Sequence, residues 1–246
     1  MTSKDPDIMT ASPRLNRYIA MCGICSRREA DRLIDDGRVL VNGKPAVNGM
    51  HVNEGDLVSV DGREIHPEER EIVLALYKPA GVVCSAGGHP GDRLIGDMAC
   101  VRAYPERLFY MGRLDKDSEG LLLMTNQGKL SDAIMRSRNK HEKEYVVRVD
   151  RPITEVFLQK MAQGVYLEEL QVTTKPCRIW KTDRDTFHIV LTQGLNRQIR
   201  RMCITLGYQV RTLKRIRIMN ILLGDLKSGE SRELTVEELA ELRRRA

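Results

Sequence analysis

Gly112-Arg113-Leu114-Asp115-Lys116-Asp117-Ser118-Glu119-Gly120 runs straight into the apolar segment Leu121-Leu122-Leu123-Met124-Thr125. The apolar run has the length of a buried strand, and charges are excluded from strand interiors, so Asp115 falls on the loop that enters it. A carboxylate at that place faces a cleft while the strand behind it keeps the loop rigid. Asp115, Asp117 and Glu119 alternate ahead of Gly120, which imitates the start of a calcium-binding loop. The imitation fails at the twelfth position, Asn126 instead of a bidentate Glu, and in its strand-like second half. Carboxylates two residues apart on one short segment also cannot flank a sugar from opposite faces. Spacing alone leaves two readings open, an acidic turn solvating a strand end or a single reactive carboxylate.

Around this segment, β-rich runs recur at 72–77, 108–111, 145–149, 187–191 and 210–218, with fewer helical patterns between them. Thr154 can cap a helix that reaches Gln163 and stops at Gly164, and Thr235-Val236-Glu237-Glu238 is a capping box opening a C-terminal helix. No regular βαβ alternation is present, so the expected class is α+β with a mixed, largely antiparallel sheet across 72–246. Neither a glycine-rich phosphate loop nor a dinucleotide fingerprint occurs, and no nucleotide cofactor is indicated.

The first 65 residues read differently. Leu15, Tyr18, Ile19 and Cys22 recur at helical spacing before Gly23, and Ser26-Arg27-Arg28-Glu29 has the pattern of a capping box opening a second helix toward Gly37. Val39 and Val41 alternate toward Asn42-Gly43, the strongest short hairpin signal because both residues accept positive φ. Asn48-Gly49, Gly55-Asp56 and Asp61-Gly62 punctuate further short strands. A small module is expected at 14–65, preceded by a disordered N-terminus, 1–13, and followed by the polar linker 66–71.

Composition narrows the partners. The 246 residues carry 40 Lys and Arg against 34 Asp and Glu, a net charge of +6 that suits a polyanion. No run reaches the roughly 18 apolar residues of a membrane helix, and the polar N-terminus lacks a signal-like core, so a cytoplasmic protein is expected. Cysteines at 22, 25, 84, 100, 177 and 203 form no disulfide pattern. Cys22 and Cys25 have metal or redox spacing, but no second Cys/His pair follows, and packing accounts for Cys22.

The basic charge is concentrated. In Gly194-Leu195-Asn196-Arg197-Gln198-Ile199-Arg200-Arg201-Met202-Cys203, an apolar helical stripe is flanked by Arg197, Arg200 and Arg201 at i, i+3 and i+4. Three guanidiniums so placed repel unless an anion lies among them, and Asp115 is the natural protein candidate. Arg211, Arg215 and Arg217 then share one side of a strand, and no acidic residue occurs between Asp185 and Asp225 to neutralise them. A polyanion site fits this one-sided block better than a solvated surface.

Arg14-Leu15-Asn16-Arg17-Tyr18, Gly23 to Ala30, Gly37 to Gly43 and Gly55-Asp56 together resemble the S4 RNA-binding domain. From Lys78-Pro79-Ala80-Gly81 through the Asp115 segment, His141-Glu142-Lys143-Glu144-Tyr145, Gln193 to Cys203 and Arg217-Ile218-Met219-Asn220, the chain resembles the RsuA branch of the pseudouridine synthases. Within it, these motifs are most similar to a large-subunit ribosomal RNA enzyme. Some relatives continue into a long Lys-rich tail where this sequence stops at Ala246, so the resemblance carries no auxiliary grip from such a tail.

The resemblance implies isomerisation of uridine to pseudouridine in 23S ribosomal RNA, with a transfer RNA as a second candidate substrate. Such chemistry conserves atoms and needs no cofactor or metal. Asp115 would be the catalytic carboxylate, as a nucleophile toward the sugar or as a base that forms a glycal. Arg200 would pair with it, Tyr145 would lie against the uracil face, and Arg113 would hold the extruded nucleotide. Arg197, Arg211, Lys214, Arg215 and Arg217 would line the RNA groove, while Arg14, Arg17, Arg27, Arg28 and Lys44 would meet phosphates from the S4 module. A monomer is expected. Two further readings stand beside this one, a noncatalytic RNA-binding or ribosome-assembly protein and a synthase for another ribosomal position.

Overall fold

The computed structural model describes residues 12–85, 87–135 and 141–246, and the chain divides into two compact units between Glu71 and Ile72. Residues 1–11, most of the segment expected to be disordered, lie outside the described residues. Ser12 and Pro13 are fastened to the first unit: Ser12 Oγ donates to Asn53 Oδ1 at 2.9 Å, and the Val52 amide donates to the Pro13 carbonyl at 2.9 Å.

The first unit opens with α1 (Leu15–Met21) and α2 (Arg27–Asp35). Ser26 Oγ accepts the Glu29 amide at 3.3 Å, but the Glu29 carboxylate turns to Arg32 at 3.1 Å, so half of the expected capping box forms. Strands β1 (Val39–Val41), β2 (Lys44–Pro45), β3 (Val58–Val60) and β4 (Arg63–Glu64) follow, in the sheet order β2-β1-β3-β4. Asn42 and Gly43, at φ 52° and 74°, close the two-residue hairpin that pairs Val41 with Lys44. Leu15, Ile19, Leu33, Ile34, Val39 and Val58 form its core. Cys22 packs against that core, and burial pushes its thiol up to about 12, a structural rather than a reactive cysteine.

The second unit contains β5 (Val73–Lys78), the short parallel pair β6 (Val82–Val83) and β7 (Arg93–Leu94), α3 (Ala99–Arg102), β8 (Phe109–Met111), β9 (Glu119–Thr125) and α4 (Gly128–Met135). Next come β10 (Lys143–Val149), α5 (Glu155–Gln163), β11 (Tyr166–Leu167), β12 (Val172–Thr173), β13 (Arg178–Asp183), β14 (Thr186–Leu191) and α6 (Gln198–Thr205). The chain ends with β15 (Val210–Ile218), β16 (Ile221–Leu222), β17 (Ser231–Glu233) and α7 (Val236–Arg245). Thr154 caps α5, and Thr235 with Glu238 completes the reciprocal capping box of α7. No helix of the described residues is long and apolar enough to cross a membrane.

The large sheet runs β13-β14-β10-β15-β9-β5-β17, with β8 on β9 and β16 on β15. Every pairing in it is antiparallel except β9 with β15, so the expected mixed, largely antiparallel α+β sheet is present. Strands β5 and β9 are buried on both faces, which explains their unbroken apolar sequences. On one face Ala75, Leu121 and Leu123 meet Leu242 of α7; on the other Leu74, Leu76 and Leu122 meet Val82, Ile95 and Leu114.

The single parallel contact is short. Lys214 lies opposite Glu119 and Arg215 opposite Gly120, and beyond this point the loop 112–118 diverges from the strand order. Gly120 has φ 103°, and a Cβ there would lie 2.8 Å from the Arg215 amide nitrogen, with the Arg215 carbonyl oxygen closer still. Neither neighbour is a flexible side chain, so no larger residue fits without separating β9 from β15. Gly120→Ala is expected to lower unfolding stability by about 3 kcal/mol, read as a drop in the urea midpoint; an unchanged midpoint would contradict the tight joint.

Candidate active site

Where β9 and β15 meet, a pocket of about 440 Å³ opens between the loop 112–118, the start of β10 and the cap of α6. Gly112 begins the loop at φ 77°, with Met135 of α4 packed so closely that a Cβ would lie 2.9 Å from its sulfur. The far side of the loop is braced by the turn after β5. Gly81 donates its amide to the Lys116 carbonyl at 2.7 Å, and the fully buried Lys78 ammonium donates to the Pro79 and Val82 carbonyls at 2.8 and 2.7 Å. Burial holds the Lys78 pKa below the ordinary lysine value, and the carbonyl bonds satisfy an ammonium that water cannot reach.

Asp115, Tyr145 and Arg200 all line this pocket, as do Arg113, Arg197 and Arg215. Asp115 sits on the loop as expected, its side chain about one-third exposed. Its counter-charge differs from the expectation. Arg197 Nη1 stands 4.0 Å from Asp115 Oδ2 and Arg197 Nη2 3.2 Å from Asp117 Oδ2, whereas Arg200 donates to the Asp117 carbonyl at 2.9 Å and makes no ion pair with Asp115. The reason lies in the backbone. Arg197 is not on the helix but is its N-cap, in the left-handed region at φ 50°, ψ 34°, which turns its side chain toward the loop. Arg200, one turn into α6, is half-buried, and burial together with the Arg197 charge pulls its pKa down.

The three guanidiniums therefore do not share one anion. Arg201 leaves the site altogether, donating to the Asn196 carbonyl at 3.0 Å and pairing with Glu169. The basic block of β15 is also less free than the sequence suggests. Arg215, 2% exposed, donates to the Leu121 carbonyl at 2.7 Å and the Arg113 carbonyl at 3.4 Å, so it braces the loop and strand instead of lying in an open groove. Arg217 is bound to Glu144 at 2.9 Å, Glu142 at 3.1 Å and the Met219 carbonyl at 2.9 Å, acids from the neighbouring strand segment that local sequence does not reveal. Burial opposes ionisation of Glu144, yet bonds from His188 and Arg217 hold its carboxyl below the usual range. Lys214 stands over the Tyr77 ring, 4.7 Å from its centroid, and Arg211 remains exposed, outside the pocket.

Lys143 and His141 also line the pocket, and sequence reasoning assigned neither a role. The signal that could have found them is the two-residue period of strands: 141, 143 and 145 project to one side, so a functional Tyr145 brings both along. In the first unit, Arg14, Arg17, Arg27, Arg28 and Lys44 make no ion pair among the described residues, whereas Arg32 pairs with Glu29 and Arg38 with Asp61. Charges left unneutralised on one small domain are available to an external anion.

Residues 72–205 match the family described as RNA pseudouridylate synthase, and residues 13–58 match the S4 domain. The dual-specificity RNA pseudouridine synthase RluF of Escherichia coli (strain K12) is 48% identical over 234 residues, covering 94% of this chain and 79% of the relative. Ribosomal large subunit pseudouridine synthase B of Bacillus subtilis (strain 168) is 34% identical, covering 94% of this chain and 95% of the relative. Among solved structures, a pseudouridylate synthase crystal structure superimposes with a TM-score of 0.67 at 28% identity, covering 94% of this chain and 100% of that one.

The pairing of Arg217 separates a structural from an RNA-binding role. Arg217→Ala leaves Glu144 with His188 and Glu142 with Arg178 as remaining partners and is expected to cost about 2 kcal/mol in urea unfolding, with the salt dependence of RNA binding unchanged. A salt slope smaller by about one at full stability would instead return Arg217 to the groove.

Proposed function

The chain belongs to the RNA pseudouridylate synthase family, and from that premise we propose that Asp115 is the residue through which it isomerises a uridine of large-subunit ribosomal RNA. The overall reaction breaks the bond between N1 and the ribose C1′, turns the freed uracil and joins C5 to C1′. A proton leaves C5 and one is gained at N1, so the balance needs no cofactor. The observation that carries the assignment is the convergence of Asp115, Tyr145 and Arg200 on one pocket at the β9 and β15 joint.

Arg197, 4.0 Å from the Asp115 carboxylate, orients it, a task that a nearby guanidinium performs whether the carboxylate attacks C1′ or removes a ribose proton. Arg200, fixed on the Asp117 carbonyl, holds the loop that carries Asp115 and adds positive potential. Tyr145 offers an aromatic face to the uracil and a hydroxyl in reach of the C5 proton. Arg113 takes the place of stacking neighbours as the nucleotide is turned out of the RNA, a step costing a few kcal/mol. Arg14, Arg17, Arg27, Arg28 and Lys44, without ion pairs among the described residues, supply sequence-independent phosphate contacts, with Arg211 and Lys214 doing so on the catalytic unit.

The names of the relatives support a ribosomal large-subunit substrate, and the dual specificity in the name of RluF supports a second RNA, for which a transfer RNA is our candidate. The protein acts as a monomer in the cytoplasm, with 66–71 linking its two domains. An RNA-binding protein without activity would share the fold and the basic surface, and Asp115 separates the two. Protein incubated with large-subunit RNA tritiated at uridine C5 is expected to release the label, and Asp115→Asn to abolish release while RNA affinity is kept. Undiminished release by Asp115→Asn would sink the assignment.

A further inference from the structure

The pocket holds more positive charge than its one carboxylate needs. Asp115 already has Arg197 beside it, and Arg200 and Arg215 are bound to backbone carbonyls with no carboxylate partner. Among the described residues, one Arg215 nitrogen, Nη2, is buried without a hydrogen-bond partner, and so is Nε2 of His141. Lys143 completes the group. It begins β10, opposite Leu191 and Ile218 in the sheet, and among the described residues it meets no carboxylate and no hydrogen-bond acceptor. Folding has thus placed a partly buried lysine ammonium in the pocket beside a second cation, which costs stability and is unusual unless an anion is received there.

We infer that Lys143, supported by Arg215, is a further catalytic residue that receives the negative charge of the detached uracil. This rests on the assignment of the pocket to uridine isomerisation. When the bond between C1′ and N1 breaks, its electron pair goes to the ring and spreads over N1 and the two carbonyl oxygens. The ammonium of Lys143 and the free Nη2 of Arg215 are donors for that anion. No proton has to be added before C5 closes on C1′, and the later exchange of the C5 proton for one on N1 uses solvent and Tyr145. A phosphate is the poorer occupant, because the more exposed Arg197 and Arg113 stand at the rim, whereas Arg215 and His141 are 2% and 9% exposed and only a base reaches so far.

Burial, with the Arg215 charge, lowers the Lys143 pKa to about 8. The other charged or titratable groups sharing the pocket are Arg113 and Asp115 on the loop, Arg197 and Arg200 at α6, and His141 and Tyr145 beside Lys143 in sequence. The ammonium is present below about pH 8 and is lost above it, so the stabilisation of a uracil anion fades as pH rises through that value.

The test is pseudouridine formation in single turnovers with enzyme in excess, for the wild type, Lys143→Met, Lys143→Arg and Asp115→Asn. Lys143→Met removes the charge at nearly constant shape and is expected to slow the chemical step about 100-fold, with RNA affinity within about threefold. Its thermal midpoint should rise or stay level, since an unneutralised, partly buried ammonium is gone. Lys143→Arg should keep most of the rate and hold it above pH 8, where the wild type falls. A Lys143→Met rate within about threefold of wild type, or a loss accounted for wholly by weaker RNA binding, would overturn the inference while an inactive Asp115→Asn leaves the assignment of the pocket intact. Activity retained by Asp115→Asn would overturn both.

Discussion

The contact between Gly120 and the backbone of Arg215 joins the two halves of the catalytic sheet. On one side lie β13, β14, β10 and β15, antiparallel throughout; on the other lie β9, β5 and β17. Only two residue pairs connect β9 to β15, in the single parallel ladder of the large sheet. A short parallel seam leaves both chains free to diverge on the same side, and the divergence is the pocket. The Asp115 loop leaves one strand, α6 packs beside the other, and the Arg215 side chain bonds the Leu121 and Arg113 carbonyls across the gap.

That seam also explains the electrostatics. A loop entering a strand buried on both faces cannot bury its own charges, so Asp115 and Asp117 stay at the mouth, where Arg197 reaches them. Arg215, inside the seam, instead donates to the backbone carbonyls of Leu121 and Arg113. The same guanidinium chemistry therefore serves two purposes a few residues apart: Arg197 orients a carboxylate, while Arg215 closes the backbone where the sheet changes direction. Excess positive charge remains in the pocket as a result, and an anionic uracil is the species in this reaction that benefits from it.

Much of this was legible from sequence, for physical reasons that differ by element. The apolar run 121–125, the capping residues Thr154 and Thr235, and Asn42-Gly43 each report a local requirement, and each forms the expected element. The strand β9 nevertheless begins at Glu119, because Lys214, ninety-five residues later, pairs with it. Partners remote in the chain account for the other differences as well. Arg217 is neutralised by Glu142 and Glu144, and Arg201 by Glu169, so an acid-free window of sequence was not an acid-free environment. The Arg197 conformation was hidden for another reason: helical spacing counted it as a face residue, whereas it precedes the first helical residue with positive φ. The place of Asp115 on the loop was legible, but which guanidinium stands beside it depended on that one backbone angle.

The most direct measurement is a crystal structure of the Asp115→Asn protein with a uridine-containing substrate RNA. The account predicts one nucleotide turned out of the RNA into the pocket at the β9 and β15 seam, its C1′ facing residue 115, its base against Tyr145 and a uracil oxygen within hydrogen-bond distance of the Lys143 ammonium. A base left stacked in the RNA, or seated away from position 115, would contradict it.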